Sequence, residues 1–374
     1  MKHFVWLTII CSTLIASVSG QTKDQQVADI VIAGARTNGI NFLRNSQADD
    51  GSWTTPNAPG ITALATTALL KSGLDPKSPT IQKAIKHIQG HIKPDGGIYY
   101  TESNHRNYET CIAIMMFHEV NKDGHFDKTI ANAQTFLRKL QWDEGEGLES
   151  SDLAYGGAGY GSHQRPDMSN TQYLIDALRT TGVAADDPDI QKALLFVSRA
   201  QNLESEFNNS PFAAKVGDGG TIYTPAAGGE SKAGTTANGG LRSYGSMTYA
   251  GLKSMIYAGV KADDKRVKAA VEWISKFYTV TENPGMRQQG LYYYYHTFAK
   301  ALTVMKVETV TDADGVKHNW RMELAHQLIQ LQRKNGSWVN KADRWYEGDP
   351  NMSTSYSLLA LSYCSPNKTA DAKK

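Results

Sequence analysis

Residues able to do chemistry gather just ahead of six threonines. In RQQGLYYYYHTFAKAL, residues 287–302, four tyrosines lead into His296 and Thr297. Tyr108 and Glu109 precede Thr110. Arg165, Asp167 and Asn170 precede Thr171, Arg242 and Tyr244 precede Thr248, and Trp345, Glu347 and Asp349 precede Thr354. A histidine, or a carboxylate tuned toward neutrality, can move protons as a general acid or base, so His296, Asp167 and Glu109 are the catalytic candidates. Tyr108, Arg165, Asn170, Arg242, Tyr244, Tyr295, Trp345, Glu347 and Asp349 are the ligand-binding candidates, because small-molecule pockets combine aromatic walls with a few convergent polar groups. Each has a structural alternative. His296 can orient a neighbouring carbonyl or carboxylate, and Glu109 and Asp167 can complement helix N-termini. Consecutive residues point in different directions, so two of the four tyrosines are expected to face a ligand and the others to pack.

The gross composition limits the partners. With 39 basic and 37 acidic residues and a formal charge of +2, the chain has no field that would attract nucleic acid or an anionic membrane. Its first twenty residues, MKHFVWLTIICSTLIASVSG, have a positive start and an apolar core too short to span a bilayer. They read as an export signal cleaved after Gly20, which implies a periplasmic or extracellular protein with residues 21–29 as a short linker. Beyond it no apolar run approaches membrane length. Cys111 and Cys364 alone then remain, too few for a disulfide framework.

Stepping out from the threonines, the organising signal is repetition. Ile81, Ala84, Ile85 and Ile88 sit at i, i+3, i+4, i+7, as do Ile190, Ala193, Leu194 and Val197, and Val267, Ala270, Val271 and Ile274. That is the stripe of an amphipathic helix. Weaker copies run through Ala33, Ile40 and Leu43, through Ile130, Ala133 and Leu137, and through Leu324, Ala325 and Leu328. After each comes a glycine: Gly51 and Gly336 in Gly-Ser-Trp, Gly96, Gly156 and Gly219 in Gly-Gly-x-x-Tyr, and Gly290 before Leu291. Glycine there suits a sharp turn through positive φ. A second helix follows, with Thr62, Thr110, Thr171, Thr248, Thr297 or Thr354 at its start, where a hydroxyl can cap free N–H groups.

Helical hairpins of this kind must stack to bury both faces. The expected fold is all-α: an (α/α)6 toroid of six hairpins, one domain over residues 30–364, with a flexible tail at 365–374. The starts of the inner helices should share one mouth of a central cavity. Their dipoles and free N–H groups would favour an anionic group on a ligand. The glycine-rich segment 208–246 leads directly into Thr248 and is expected to form a lid or wall over that mouth.

The stretches FLRNSQADDGSW (42–53) and LIQLQRKNGSW (328–338) resemble the QW motif of terpene and squalene cyclases, with Gln47, Gln141, Gln201 and Gln332 as its glutamine and Trp53 and Trp338 as its tryptophan. The chain is similar over residues 30–364 to the prenyltransferase and squalene-oxidase repeat superfamily, which implies the toroid and an apolar ligand. His296 matches the zinc-ligating histidine of the protein prenyltransferases. Their D-x-C partner is missing from RSYGSMTYAG (242–251), so no metal or other cofactor is expected. The nearest string to the cyclases' D-x-D-D acid is Asp312-Ala313-Asp314-Gly315, which lacks the last acid and falls between repeats five and six. Three functions follow as expectations: binding or transforming an isoprenoid or other apolar molecule, acting on or binding a sugar, or serving as a non-catalytic scaffold for a protein partner.

Overall fold

The computed structural model of the protein describes residues 23–161 and 165–364. The segments expected to be an export signal (1–20) and a flexible tail (365–374) lie outside the described residues. Helix α1 (Lys23–Ser46) begins inside the segment expected to be a linker, since KDQQVAD holds good helix formers and no breaker. There follow α2 (Pro59–Lys71), α3 (Pro79–Gln89), α4 (Arg106–Val120), α5 (Asp127–Arg138), α6 (Met168–Thr180), α7 (Pro188–Arg199) and the one-turn α8 (Ala213–Val216). Next come α9 (Gly245–Tyr257), α10 (Lys265–Lys276), α11 (Leu291–Val304), α12 (Trp320–Leu331) and α13 (Pro350–Cys364). A two-stranded antiparallel hairpin, β1 (Val310–Thr311) and β2 (Lys317–His318), joins α11 to α12.

Helices α2, α4, α6, α9, α11 and α13 each pack on the next, and α13 returns to α2, so the inner ring is closed. Behind it, α3 packs on α2, α5 on α4, α7 on α6 and α9, α10 on α9, and both α1 and α12 on α13. The stripes predicted for α3 and α7 are what those helices bury, whereas in α1 the expected Ala33 is exposed and Ile32 and Ala35 are buried instead. Ile81, Ala84, Ile85 and Ile88 are all buried, as are Ile190, Ala193, Leu194 and Val197. The hairpins form one domain around one continuous core. No helix among the described residues is long and apolar enough to cross a membrane.

The turns lock neighbouring repeats together. Gly156 has φ 82°, and a Cβ on it would stand 1.8 Å from the carbonyl oxygen of Lys192 on α7. A Cβ on Gly336, at φ 87°, would stand 2.4 Å from the carbonyl oxygen of Asn38 on α1. The glutamine before each of these turns donates to two carbonyls: Gln141 to Gly156 (2.8 Å) and Asp189 (2.9 Å), and Gln332 to Gly336 (3.0 Å) and Ala35 (2.9 Å). The second pair seals the ring between its last and first repeats. Trp53 and Trp338 are fully buried and donate to the carbonyls of Leu43 and Leu328.

The threonines do something other than cap. They lie inside the inner helices, and five accept from the turn that precedes them. Thr62 accepts from Trp53 N (3.2 Å), Thr110 from Ile98 N (3.0 Å) and Thr171 from Ala158 N (2.9 Å). Thr248 accepts from Thr221 N (3.0 Å) and Thr354 from Trp338 N (3.1 Å). A threonine one turn into a helix can donate to the carbonyl four residues back and still accept a hydrogen bond, as Thr171 and Thr248 do. Thr297 only donates, to Tyr293, because α11 starts early, directly at Gly290.

Cys111 and Cys364 are both buried and free.

Candidate ligand-binding site

All six inner helices bring their first turns to one cavity of about 550 Å3, with Ile61 from α2, Tyr108 and Glu109 from α4, Asn170 from α6, Met247 from α9, Tyr293 from α11 and Tyr356 from α13 in its wall. That volume falls within the roughly 300–1,000 Å3 of ordinary small-molecule sites. Its aromatic residues hold one another in place. The hydroxyls of Tyr108 and Tyr356 are 2.6 Å apart, those of Tyr160 and Tyr223 are 3.3 Å apart, and Tyr293 lies 3.2 Å from Ser169 Oγ. Tyr173, behind the wall, stands edge-on to Tyr108 and bonds Tyr356. Farther along the inner helices, Asp176 pairs with both Lys253 (2.5 Å) and Lys300 (3.0 Å) in the toroid interior.

Two carboxyl groups in the wall are unusually easy to protonate. Glu109 accepts from Ser103 Oγ (2.8 Å) and Tyr100 N (3.0 Å), and burial raises its pKa to about 7. Glu347 is 1% exposed, and desolvation raises it likewise to about 7, against hydrogen bonds from Asn340 Nδ2 (2.7 Å) and Tyr293 N (2.8 Å). Glu347 caps α11 and also anchors the mouth, where Trp345 (φ 60°) and Tyr346 (φ 65°) adopt left-handed backbone conformations. Such strain costs of the order of 1 kcal/mol per residue and persists only where the surroundings hold it. Trp345 is 39% and Tyr346 71% exposed, so two aromatic rings stand at the opening.

The expected site residues divide. Tyr108, Glu109, Asn170, Tyr244, Trp345 and Glu347 line the cavity. Six others do not. Asp167 is fully buried and caps α6 by accepting from Asn170 N (2.9 Å); burial raises its pKa. Asp349 caps α13 through Met352 N (2.9 Å) and accepts from Thr54. Arg165 pairs with Glu230 and lies over the Tyr223 ring. Arg242 is exposed, donating to the carbonyl of Thr235 within its own loop. Tyr295 turns outward to the carbonyl of Val280 (2.8 Å).

His296 moves from candidate acid–base group to interior residue. It lies beside Tyr356 and Tyr363, its Nδ1 has no partner among the described residues, and desolvation first, then Lys300 and Lys253, push its pKa down to about 3. One tyrosine of the run, Tyr293, lines the cavity rather than two. The reason is phase: α11 begins at Leu291, so the run is already helical and each residue turns about 100° from the last.

The anion-friendly mouth is reduced: four of its six helix N-termini already have acceptors, Asp167 on α6, Glu347 on α11, Asp349 on α13, and Asn283 Oδ1 with the Pro284 carbonyl on α9. From the 208–246 segment, Tyr223 and Tyr244 reach the cavity.

Tyr100, Tyr160 and Tyr223, which the sequence pattern marks only as parts of turns, also line the cavity. Their signal was present: each is four residues past a positive-φ glycine. Equal spacing in equivalent turns aims equivalent side chains at the axis.

The squalene-hopene cyclase C-terminal domain model matches residues 48–220. Solved structures that share the fold include the type II terpene cyclase MstE from Scytonema without ligand, at 13% identity and a TM-score of 0.53, covering 89% of this chain and 97% of that one. An aspartate-to-asparagine variant of that cyclase, in complex with its substrate geranylgeranyl dihydroxybenzoate, gives 13% and 0.53 over 91% and 98% of the two chains. A protein from Actinoplanes gives 14% and 0.52 over 90% and 100%. No curated protein matches. With six hairpins closed into a ring, and a cyclase domain model matched over part of it, the chain has the α/α-toroid fold that these terpene cyclase structures share.

Proposed function

We propose that this is an exported protein that binds an apolar, isoprenoid-like small molecule in the central cavity. The observation that carries this reading is the cavity itself: about 550 Å3, walled by aromatic rings and fed by all six inner helices. The ligand of the similar Scytonema cyclase, geranylgeranyl dihydroxybenzoate, supports the class. So does the glutamine–tryptophan pattern of Gln47, Gln332, Trp53 and Trp338.

Binding is favoured over cyclisation by alkene protonation. Asp312 and Asp314 belong to the β1–β2 hairpin, where Asp312 accepts from His318 (3.0 Å), and neither lines the cavity. Glu109, the acid best placed in the wall, has a pKa of about 7. That suits proton exchange with a heteroatom but is far too weak for an isolated double bond.

The test is to add isoprenols of increasing chain length to the purified protein and follow its melting temperature. Stabilisation that grows with chain length until the cavity is full supports the reading, and no shift with any of them rejects it. A neutral sugar is the second reading, favoured by the exposed Trp345 and Tyr346 at the mouth. Binding on a glycan array without any isoprenol shift would decide for it. Export rests on residues 1–20 and is tested by N-terminal sequencing, which should start at Gln21.

A further inference from the structure

The charge balance of the cavity is one-sided. Its lining includes nine tyrosine and tryptophan side chains and three glutamates, Glu102, Glu109 and Glu347, but among the described residues no lysine or arginine. The cations nearest the lining sit at its edge: Arg165 and Lys232 lie over the Tyr223 ring and pair with Glu230, Arg344 lies over the Trp345 ring, and Arg242 is used on the Thr235 carbonyl, which leaves the faces around Glu109 without one. Lys253 and Lys300 are outside the lining and both bind Asp176. Four of the six inner-helix N-termini offer no compensation either, because the chain's own acceptors fill those of α6, α9, α11 and α13.

A phosphate or carboxylate entering this cavity would lose its hydration and meet carboxylates and the negative faces of phenol rings, with only neutral donors and His105, whose pKa burial lowers, to receive it. A cation would meet the opposite: aromatic faces that attract positive charge, and a carboxylate within reach. Glu109 is the group placed for that contact. It is 7% exposed, faces the cavity, and takes its hydrogen bonds from neutral donors, Ser103 and Tyr100 N.

We propose that the cavity takes an amine-bearing ligand, with a protonated or quaternary nitrogen held between Glu109 and the tyrosine faces, and discriminates against phosphate and carboxylate head groups. This rests on the reading of the cavity as a site for an apolar molecule and supplies the head group that reading leaves open. Since Glu109 is part-protonated near neutrality, a quaternary ammonium ligand, which carries no proton to lose, will displace protons into the buffer on binding.

The experiment is calorimetric titration of the full protein with three farnesyl compounds that differ only in the head: trimethylammonium, alcohol and carboxylate. Tetraethylammonium is titrated as a head without a tail. The ammonium should bind about tenfold tighter than the alcohol and the carboxylate weakest, with proton release for the ammonium alone. Glu109→Gln, which keeps the side-chain shape and a hydrogen-bonding end, should reduce that ammonium-to-alcohol ratio several-fold. Glu102→Gln is the control for a general loss of negative charge and should leave the ratio above that of Glu109→Gln. An alcohol or carboxylate that binds as tightly as the ammonium overturns the proposal and leaves the apolar-ligand reading standing. Binding of tetraethylammonium with no gain from a farnesyl tail supports the head-group site and rejects the isoprenoid reading. No binding by any ammonium compound overturns the proposal whatever the alcohol does.

Discussion

Glu109 and His296 show how position inside the toroid decides a residue's chemistry. Burial raises Glu109 from its ordinary value to about 7, so the folded protein holds a proton there that the unfolded chain gives up at lower pH. The stability this adds is present in full below about pH 4.5 and lost as the pH rises through about 7. Glu109→Gln removes the titration. Chemical denaturation should find the variant level with the parent in acid and more stable by about 2 kcal/mol at pH 8, and parallel pH profiles would contradict the burial argument. For His296 the histidine–threonine pattern pointed to chemistry, whereas the ring lies against Tyr356 and Tyr363 outside the cavity lining. His296→Ala should therefore cost about 2 kcal/mol of stability through lost packing and leave ligand affinity within about twofold. A large affinity loss at unchanged stability would return His296 to the site.

At the scale of elements, the turn carries as much of the architecture as the helices. Gly156 needs both a positive φ and the absence of a Cβ, because Lys192 O occupies that space. Gly182 shares the positive φ (94°) but has nothing within 4 Å. Gly156→Ala should thus lower stability by about 3 kcal/mol or more, and Gly182→Ala by only about 1 kcal/mol, read from denaturation midpoints. Equal costs would mean that the inter-repeat contact is unimportant. The stripes and glycines were legible because each is a local pattern with a fixed period. The threonines were misread as caps because their partner lies nine to twenty-seven residues away, from Thr62 with Trp53 to Thr248 with Thr221, and such pairing has no local signature. The inward face of α11 was hidden for a related reason: it depends on where the helix starts, and Gly290 in a left-handed conformation starts it ahead of the tyrosines.

At the scale of the molecule, six hairpins were legible and so was their closure. The seam itself was not, since it depends on Gln332 reaching Ala35 across nearly the whole chain. Closure makes the cavity a property of the ring, for no single repeat could supply its wall. It also explains which candidates reached it: Tyr108, Asn170 and Tyr244 begin inner helices at the mouth, whereas Arg242 is held by its own loop. The central claim, that the ring exists to enclose an apolar small molecule, meets its most direct test in what the protein carries. Wild type and Ile61→Trp, which fills the cavity from α2, would be purified side by side from the native host, extracted and compared by mass spectrometry. The account predicts an apolar molecule at a fixed ratio to wild type and its loss from the filled variant. An empty wild type, or equal retention by the folded variant, would contradict it.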